Sequence, residues 1–414
     1  MPKETRYIGL SLGADICWPI CYESLLKELD LSIKIGKNTL SFESERVAIE
    51  PFDLMQPCKY DVVIDRLTHW YHTSREWIKK AILINDLYVF NSPWTLQSME
   101  KQTSYCAMMR LGFPIPRTWL IPPKAYENSE DLEPTLQRYA KMFDLPSIGD
   151  QIGYPLFMKP YDGGAWVGVT AIHDSESLMK AYDASGTRVM NLQEGVVPFD
   201  IFVRCVGMGP QFRCVNYDPD APLHDRYRME TDFLTPEQEK RLQDMTMVIN
   251  AFFGWDFNSC ESLLSNGEWR PIDFANACPD SQVTSLHFHF PWLIKANLRW
   301  SVYCAATKRR VRTGLNWDKY FRIADKDWSF DEKLVEYVNI ARTHFEVEKF
   351  EAFCDRHLDH LDDIAHRYFA SASVKEAIRE KVESLYPEHE HEEFTELFWS
   401  RIQAWRDFDA GQRA

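Results

Sequence analysis

The chain has 414 residues, 45% of them hydrophobic and 26% charged, a length that suits two or three domains of roughly 150 residues. Its net charge of −15 argues against nucleic acid or an anionic membrane as the main partner, because those surfaces need clustered cations. No stretch approaches the roughly 20 apolar residues that span a bilayer, the first residues lack the form of a secretory signal, and ten scattered cysteines show neither a CxxC pair nor zinc spacing. A cytoplasmic protein with reduced thiols is the expectation.

The first hundred residues alternate strand and helix. RYIGLSLG is expected as a buried strand, PICYESLLKELD as a helix opened by Pro19, and RVAIEPF and YDVVIDRL as further strands. TSREWIKKAILINDL then makes a helix and YVFNSP a last strand. Such alternation predicts a mainly parallel, helix-covered sheet. No GxGxxG follows the first strand, so a dinucleotide site there has little support.

From residue 92 the pattern changes. Residues 92–112 are expected as one helix, with Pro93 near its start and Gly112 as its stop. The proline-rich PIPRTWLIPP follows, and residues 125–150 form a helical insertion with a polar tip. The stretch GYPLFMKPYDGGAWVGVTAIHD, residues 153–174, carries a strand ending in Lys159, then Gly163 and Gly164, then a second strand. RVMNLQEGV continues the sheet, and DIFVRCVGMGPQFRCVNYD is expected as two antiparallel strands joined at residues 207–209. A capping box of Thr235 and Gln238 opens a helix that Gly254 ends. WDFNSCESLL and WRPIDFANA are strands separated by Ser265, Asn266 and Gly267. His287 and His289 alternate on an expected strand as core residues, Lys308, Arg309 and Arg310 are expected as a solvated helix end, and the chain past residue 315 is helical.

Glycines beside a lysine suggest phosphate, yet the familiar phosphate loop places its lysine after the glycines and opens a helix. Here Lys159 comes first and a strand follows. The order of Lys101, Lys159 with its glycine turn, LQEGV, Asp200, a strand with Glu261, and a strand with Asp273 and Asn276 resembles the ATP-grasp superfamily of carboxylate–amine ligases. D-alanine–D-alanine ligase and the peptide-forming glutamate ligases are examples of that group. The resemblance covers residues 60–285 and lies in the ordered set rather than in any single motif.

The resemblance implies an α/β (α+β) protein with an ATP-grasp fold. A Rossmann-like pre-ATP-grasp domain would occupy residues 1–97, a subdomain with a glycine-rich lid 98–192, a subdomain with the metal site 193–314, and a helical extension 315–414. It also implies ATP and Mg²⁺ as cofactors. Gly163 and Gly164 would close over the phosphates, with Lys101 and Lys159 neutralising them. Gln193, Glu194 and Val196 would form the hinge that meets the adenine, and Asp200 would accept from the ribose hydroxyls.

Glu261, Asp273 and Asn276 would hold the metal, and Glu261 and Asn276 stand fifteen residues apart, as in the family. The family's Glu-x-Asn is here Asp273-x-x-Asn276, so either a bulge at Ala275 brings both to one face or Asp273 acts alone. Arg204, Arg213, Arg226 and Arg228 crowd one segment, and Arg226 and Arg228 are the catalytic candidates for a substrate carboxylate or the γ-phosphate. The implied reaction joins a small-molecule carboxylate to an amine, an amino acid or peptide, with ADP and phosphate released. An ATP-grasp kinase acting on a hydroxyl and a non-catalytic ATP-binding scaffold are the alternatives, and a homodimer is an open expectation.

Overall fold

The computed structural model describes residues 3–48, 51–68, 71–95, 100–162, 167–276 and 279–413. It is a mixed α/β structure containing a five-stranded sheet and two four-stranded sheets. In the first sheet β1 (Lys3–Ser11) lies parallel to β3 (Asn38–Arg46) and to β4 (Val62–Asp65), with β5 (Tyr88–Phe90) parallel to β4. The short β2 (Ile33–Ile35) runs antiparallel to β3. Helix α1 (Cys17–Leu29) buries Trp18, Tyr22, Leu25 and Leu29, the spacing that presents one stripe to a sheet.

The expected strand RVAIEPF is corrected. Pairing with β1 is made earlier, by NTLSFESER, and ends at Arg46. Beyond its short partner β2, this strand is effectively an edge. Its alternation is therefore polar on the open side, and an apolar run is a poor guide to it.

The expected helix over residues 92–112 is also shorter. Helix α3 spans Lys101–Leu111, with Glu100 before it in an extended conformation, so Lys101 is its first residue. Gly112 ends it at φ +89°, donating its N–H to Met108 and Met109 carbonyls. The second sheet is β6 (Thr118–Ile121), β9 (Met190–Glu194), β7 (Leu156–Pro160) and β8 (Thr170–Ile172), in that spatial order. One face packs on α5 (Leu145–Ile152) and α6 (Ser175–Ser185) through Ile148, Leu156, Met158, Leu178 and Leu192. This core is separate from the main one. The ladder places Thr118, Leu120, Phe157, Lys159, Asn191 and Gln193 together on the opposite face.

The third sheet is antiparallel, in the order β11 (Gln211–Asn216), β10 (Ile201–Met208), β12 (Phe257–Ser265), β13 (Glu268–Asn276). Helix α7 (Pro236–Phe253) begins at the Thr235–Gln238 capping box and ends at Gly254, as the sequence predicts. The main core joins this sheet to the first sheet and to the C-terminal helices, with Trp18, Phe257, Trp300, Tyr337 and Trp405 among its buried members. His287 and His289 lie in a 3-10 turn before α9 (Phe290–Thr307), not on a strand, and both are buried. No helix among the described residues is long and apolar enough to cross a membrane.

Arg309 departs from its expected place in a solvated helix end. Its guanidinium donates to Tyr88 Oη at 2.9 Å, Glu346 Oε2 at 2.8 Å and the His344 carbonyl at 2.6 Å, and it stands over the Trp300 ring. Tyr88 Oη in turn donates to Asp256, whose Oδ1 also accepts from Trp300 Nε1 at 2.9 Å. Burial pushes the Asp256 carboxyl up to about 6 despite the nearby Arg309. This cluster ties the first sheet, the third sheet and the helical region together.

Candidate active site

Two lysines and two carboxylates meet where the open face of the second sheet approaches the third. Lys159, next to last in β7, donates from Nζ to Gln193 Oε1 at 2.8 Å on the neighbouring strand and to the Ile272 carbonyl of β13 at 3.3 Å. Lys101 is fixed from below, because its backbone N–H donates to the Tyr161 carbonyl at 2.8 Å. Its ammonium lies 2.8 Å from Asp273 Oδ2.

Asp273 stands opposite Glu261 in the β12–β13 ladder, and Glu261 stands opposite Arg204 in the β10–β12 ladder. Glu261 Oε1 accepts from Arg204 Nη2 at 2.5 Å. Arg204 also donates to Tyr227 Oη, and its guanidinium lies over the Tyr217 and Tyr227 rings at 5.2 and 5.4 Å. Lys101, Lys159 and Arg204 thus face Glu261 and Asp273, with Asp280 acting on Arg204 from outside the pair of sheets.

Burial controls how these groups titrate. It brings the Lys159 ammonium down to about 8, opposed by Asp273 and assisted by Lys101. Glu261 is raised by burial, which outweighs Arg204. Asp273 is also pushed up by burial, but Lys101 and Lys159 prevail and hold it below the usual carboxylate range.

The β12–β13 ladder is irregular where the spacing demanded it. Ser259 pairs with Asn276 and Glu261 with Asp273, so two steps on β12 match three on β13; a second shift follows between Glu261 and Ser262. Ser259 and Glu261 share a face by strand alternation, and their partners Asn276 and Asp273 therefore share it too. Asn276 is steadied by donating from Nδ2 to the Ser259 carbonyl at 3.2 Å and from its backbone N–H to Asn258 Oδ1 at 2.8 Å.

Mg²⁺ prefers carboxylate and amide oxygens, and this face offers them. Asp273 Oδ1 is buried without a hydrogen-bond partner, and Asn276 uses its amide nitrogen rather than its oxygen. The donor set fits a hard ion. The third oxygen comes from an amide, and no group of three or more His, Cys, Asp or Glu suited to a metal occurs among the described residues.

The remaining expected site residues divide. Gly163 and Gly164 lie outside the described residues. Gln193 uses its side chain to hold Lys159 and, through Nε2, Thr118 Oγ1 at 2.9 Å. Glu194 turns away and accepts from the Arg117 backbone N–H at 3.1 Å, while Val196 is buried. Between them Gly195 donates to the Pro155 carbonyl at 2.9 Å, and a Cβ there would come within 2.6 Å of that oxygen. Asp200 is exposed, its backbone N–H held by the Leu264 carbonyl at 2.8 Å. Arg226 donates to the Ala221 carbonyl at 3.1 Å, and Arg228 pairs with Asp218 at 2.5 Å. Among the described residues neither hydrogen-bonds nor ion-pairs with the lysine–carboxylate cluster; Arg204, from the same arginine-rich segment, contacts it through Glu261.

Among residues that sequence reasoning passed over, Asn191 is 0% exposed, and neither its Oδ1 nor its Nδ2 has a partner. Its only sequence signal is that it alternates with Gln193 in MNLQE, two polar residues on one face of a buried strand.

No family model matches the sequence, and no curated protein matches it. Several solved structures are similar to the chain. D-alanine–D-alanine ligase from Bacillus anthracis complexed with ATP is 12% identical, with 74% of this chain and 100% of that one covered and a TM-score of 0.47. VanG D-Ala:D-Ser ligase from Enterococcus faecalis is 14% identical, covering 82% and 100%, with a TM-score of 0.46. A RimK domain ATP-grasp protein from Sphaerobacter thermophilus is 12% identical, covering 70% and 97%, with a TM-score of 0.47.

Proposed function

We propose that the protein is an ATP-dependent ligase that phosphorylates a substrate carboxylate and couples the acylphosphate to an amine. The observation that carries this reading is the meeting of Lys101, Lys159, Glu261 and Asp273 between the faces of two antiparallel sheets. Such a step brings two anions together, so it needs fixed cations on one side and a metal-binding oxygen set on the other.

Lys159 and Lys101 would hold the nucleotide phosphates, Lys159 at the floor and Lys101 at the helix start beside it. Glu261, Asp273 and Asn276 would hold Mg²⁺, which supplies charge neutralisation between the phosphates and the incoming carboxylate. Arg204 fixes Glu261 in place and favours its ionised form, against the burial that raises it. Transfer of the γ-phosphoryl group to the carboxylate oxygen gives an acylphosphate and ADP. Attack of the amine nitrogen at the acyl carbon then expels phosphate and leaves the amide. Arg226 and Arg228, on the segment beside Tyr217 and Tyr227, would receive the substrate at the rim.

Thermal unfolding with MgATP, MgADP and MgGTP tests the first half of this reading. A ligand that binds only the folded state at 100 times its dissociation constant stabilises it by about 2.7 kcal/mol. A Mg²⁺-dependent shift with ATP and ADP is expected; no shift at millimolar nucleotide would overturn the nucleotide site. Release of ADP coupled to an amide product, detected by mass spectrometry with amino acids and peptides as substrates, tests the second half. A stable phosphorylated alcohol would replace the ligase with a kinase.

A further inference from the structure

Asn191 has a position and an unmet bonding capacity that the phosphate and metal assignments leave unused. It pairs with Lys159 on one side and with Leu120 on the other in the second sheet, so all three side chains share the face turned toward the third sheet. Directly opposed strand residues bring their Cβ atoms to about 5 Å. The Asn191 amide therefore stands beside the Lys159 side chain, whose ammonium has Gln193 and the Ile272 carbonyl as partners. Both ends of the amide are buried and unpartnered, an arrangement that costs free energy unless a ligand completes it.

The bonding pattern selects the ligand. A phosphate oxygen would satisfy only Nδ2 and leave Oδ1 stranded. A group that offers a donor next to an acceptor in one plane satisfies both, and the N6–H and N7 edge of adenine does so, whereas guanine presents two acceptors there. Leu120, 42% exposed, and the half-buried Phe157 share the Asn191 face and supply apolar surface for a flat base. The second sheet keeps its own core, so it can part from the third sheet to admit the base without opening the main core.

We propose that Asn191 reads the base of the bound nucleotide, pairing its amide with adenine N6 and N7, and is a specificity determinant for ATP over GTP. This rests on the proposal above that the cleft takes a nucleotide.

The test is calorimetric binding of ATP, GTP and 7-deaza-ATP, which lacks the N7 acceptor, to the parent protein and to Asn191→Leu, a change of similar size without hydrogen-bonding capacity. The parent should bind ATP more tightly than 7-deaza-ATP and GTP. Asn191→Leu should weaken ATP by roughly tenfold and bring ATP and 7-deaza-ATP to near-equal affinity. Loss of all three nucleotides by one common factor would assign Asn191 a structural role and overturn the inference, as would unchanged ATP affinity. Should Asn191→Leu fail to fold, Asn191→Asp keeps an acceptor for N6–H but loses the donor to N7. It should abolish discrimination against 7-deaza-ATP while still preferring ATP over the 6-unsubstituted purine riboside triphosphate; persistence of the N7 discrimination overturns the proposal. A parent protein that binds no nucleotide would overturn the cleft assignment itself, whereas ATP binding indifferent to Asn191 would overturn only this inference.

Discussion

Among the described residues, two of the buried ionic clusters are built differently. Around Arg309 the guanidinium reaches Tyr88, Glu346 and the His344 carbonyl, and Asp256 accepts from Tyr88 and Trp300. Around Lys159, Asp273 Oδ1, Arg204 Nε, Ser259 Oγ and both polar atoms of Asn191 are buried and unpartnered. Closed networks of this kind hold elements in register, and open ones leave bonding capacity for something else. The contrast separates a structural joint from a candidate binding site more clearly than burial does, since each cluster has buried members.

The largest expected effect lies in the joint. Arg309→Ala would remove the charged donor to Tyr88, Glu346 and the His344 carbonyl and the cation nearest buried Asp256, each such charge-assisted bond contributing about 1.5–3 kcal/mol. Urea unfolding of the variant should show a loss of that order; a loss under about 1 kcal/mol would mean that the cluster behaves as a surface pair and that the comparison fails.

At the other cluster the same kind of substitution should act on ligand rather than on fold. Lys159→Ala and Lys101→Ala each remove a charge-assisted contact worth about 1.5–3 kcal/mol, hence roughly ten- to hundredfold in ATP affinity. Lys101→Ala should also lose some stability, because Asp273 gives up its ion pair. Titration calorimetry showing both variants binding ATP like the parent would remove the phosphate assignment.

The smallest effect is a pH dependence. Burial lowers Lys159 from its ordinary value near 10.5 to about 8 in the free protein. Between those two values the unfolded chain binds more protons than the folded one, so this lysine makes stability rise with pH from about 8 to 10.5. Phosphate favours the charged form, so ATP affinity should be level below pH 8 and fall by up to about tenfold for the next unit. Lys159→Arg should flatten that fall; an unchanged profile would assign the titration to another group.

Much of the fold could be read from the sequence wherever punctuation was strong. The Thr235–Gln238 capping box and Gly254 delimit α7, and Asn266 and Gly267 turn β12 into β13, as expected. Punctuation failed at β3, whose charged open face hides its strand, and at α3, which Pro93 does not open. The lysines and acids of the candidate site were legible because their order along the chain is informative. Arg204 and Asn191 were harder to single out, because their roles arise from partners across ladders or from the lack of any partner, which spacing along one chain does not encode. Arg309 was misjudged for a related reason: a basic run looks solvated until the groups that receive it, Tyr88 at a separation of 221 residues and Glu346 at 37, are known.

The extra residue between Asp273 and Asn276 has a consequence for how such chains are compared. A strand that bulges no longer counts along its sequence as it counts along its surface. Two chains can present the same oxygens to the same point while their written patterns differ by one letter, and a fixed-spacing template would pass over one of them. Here the ladder brings Asp273 and Asn276 to one face although their spacing along the chain alone would set them apart.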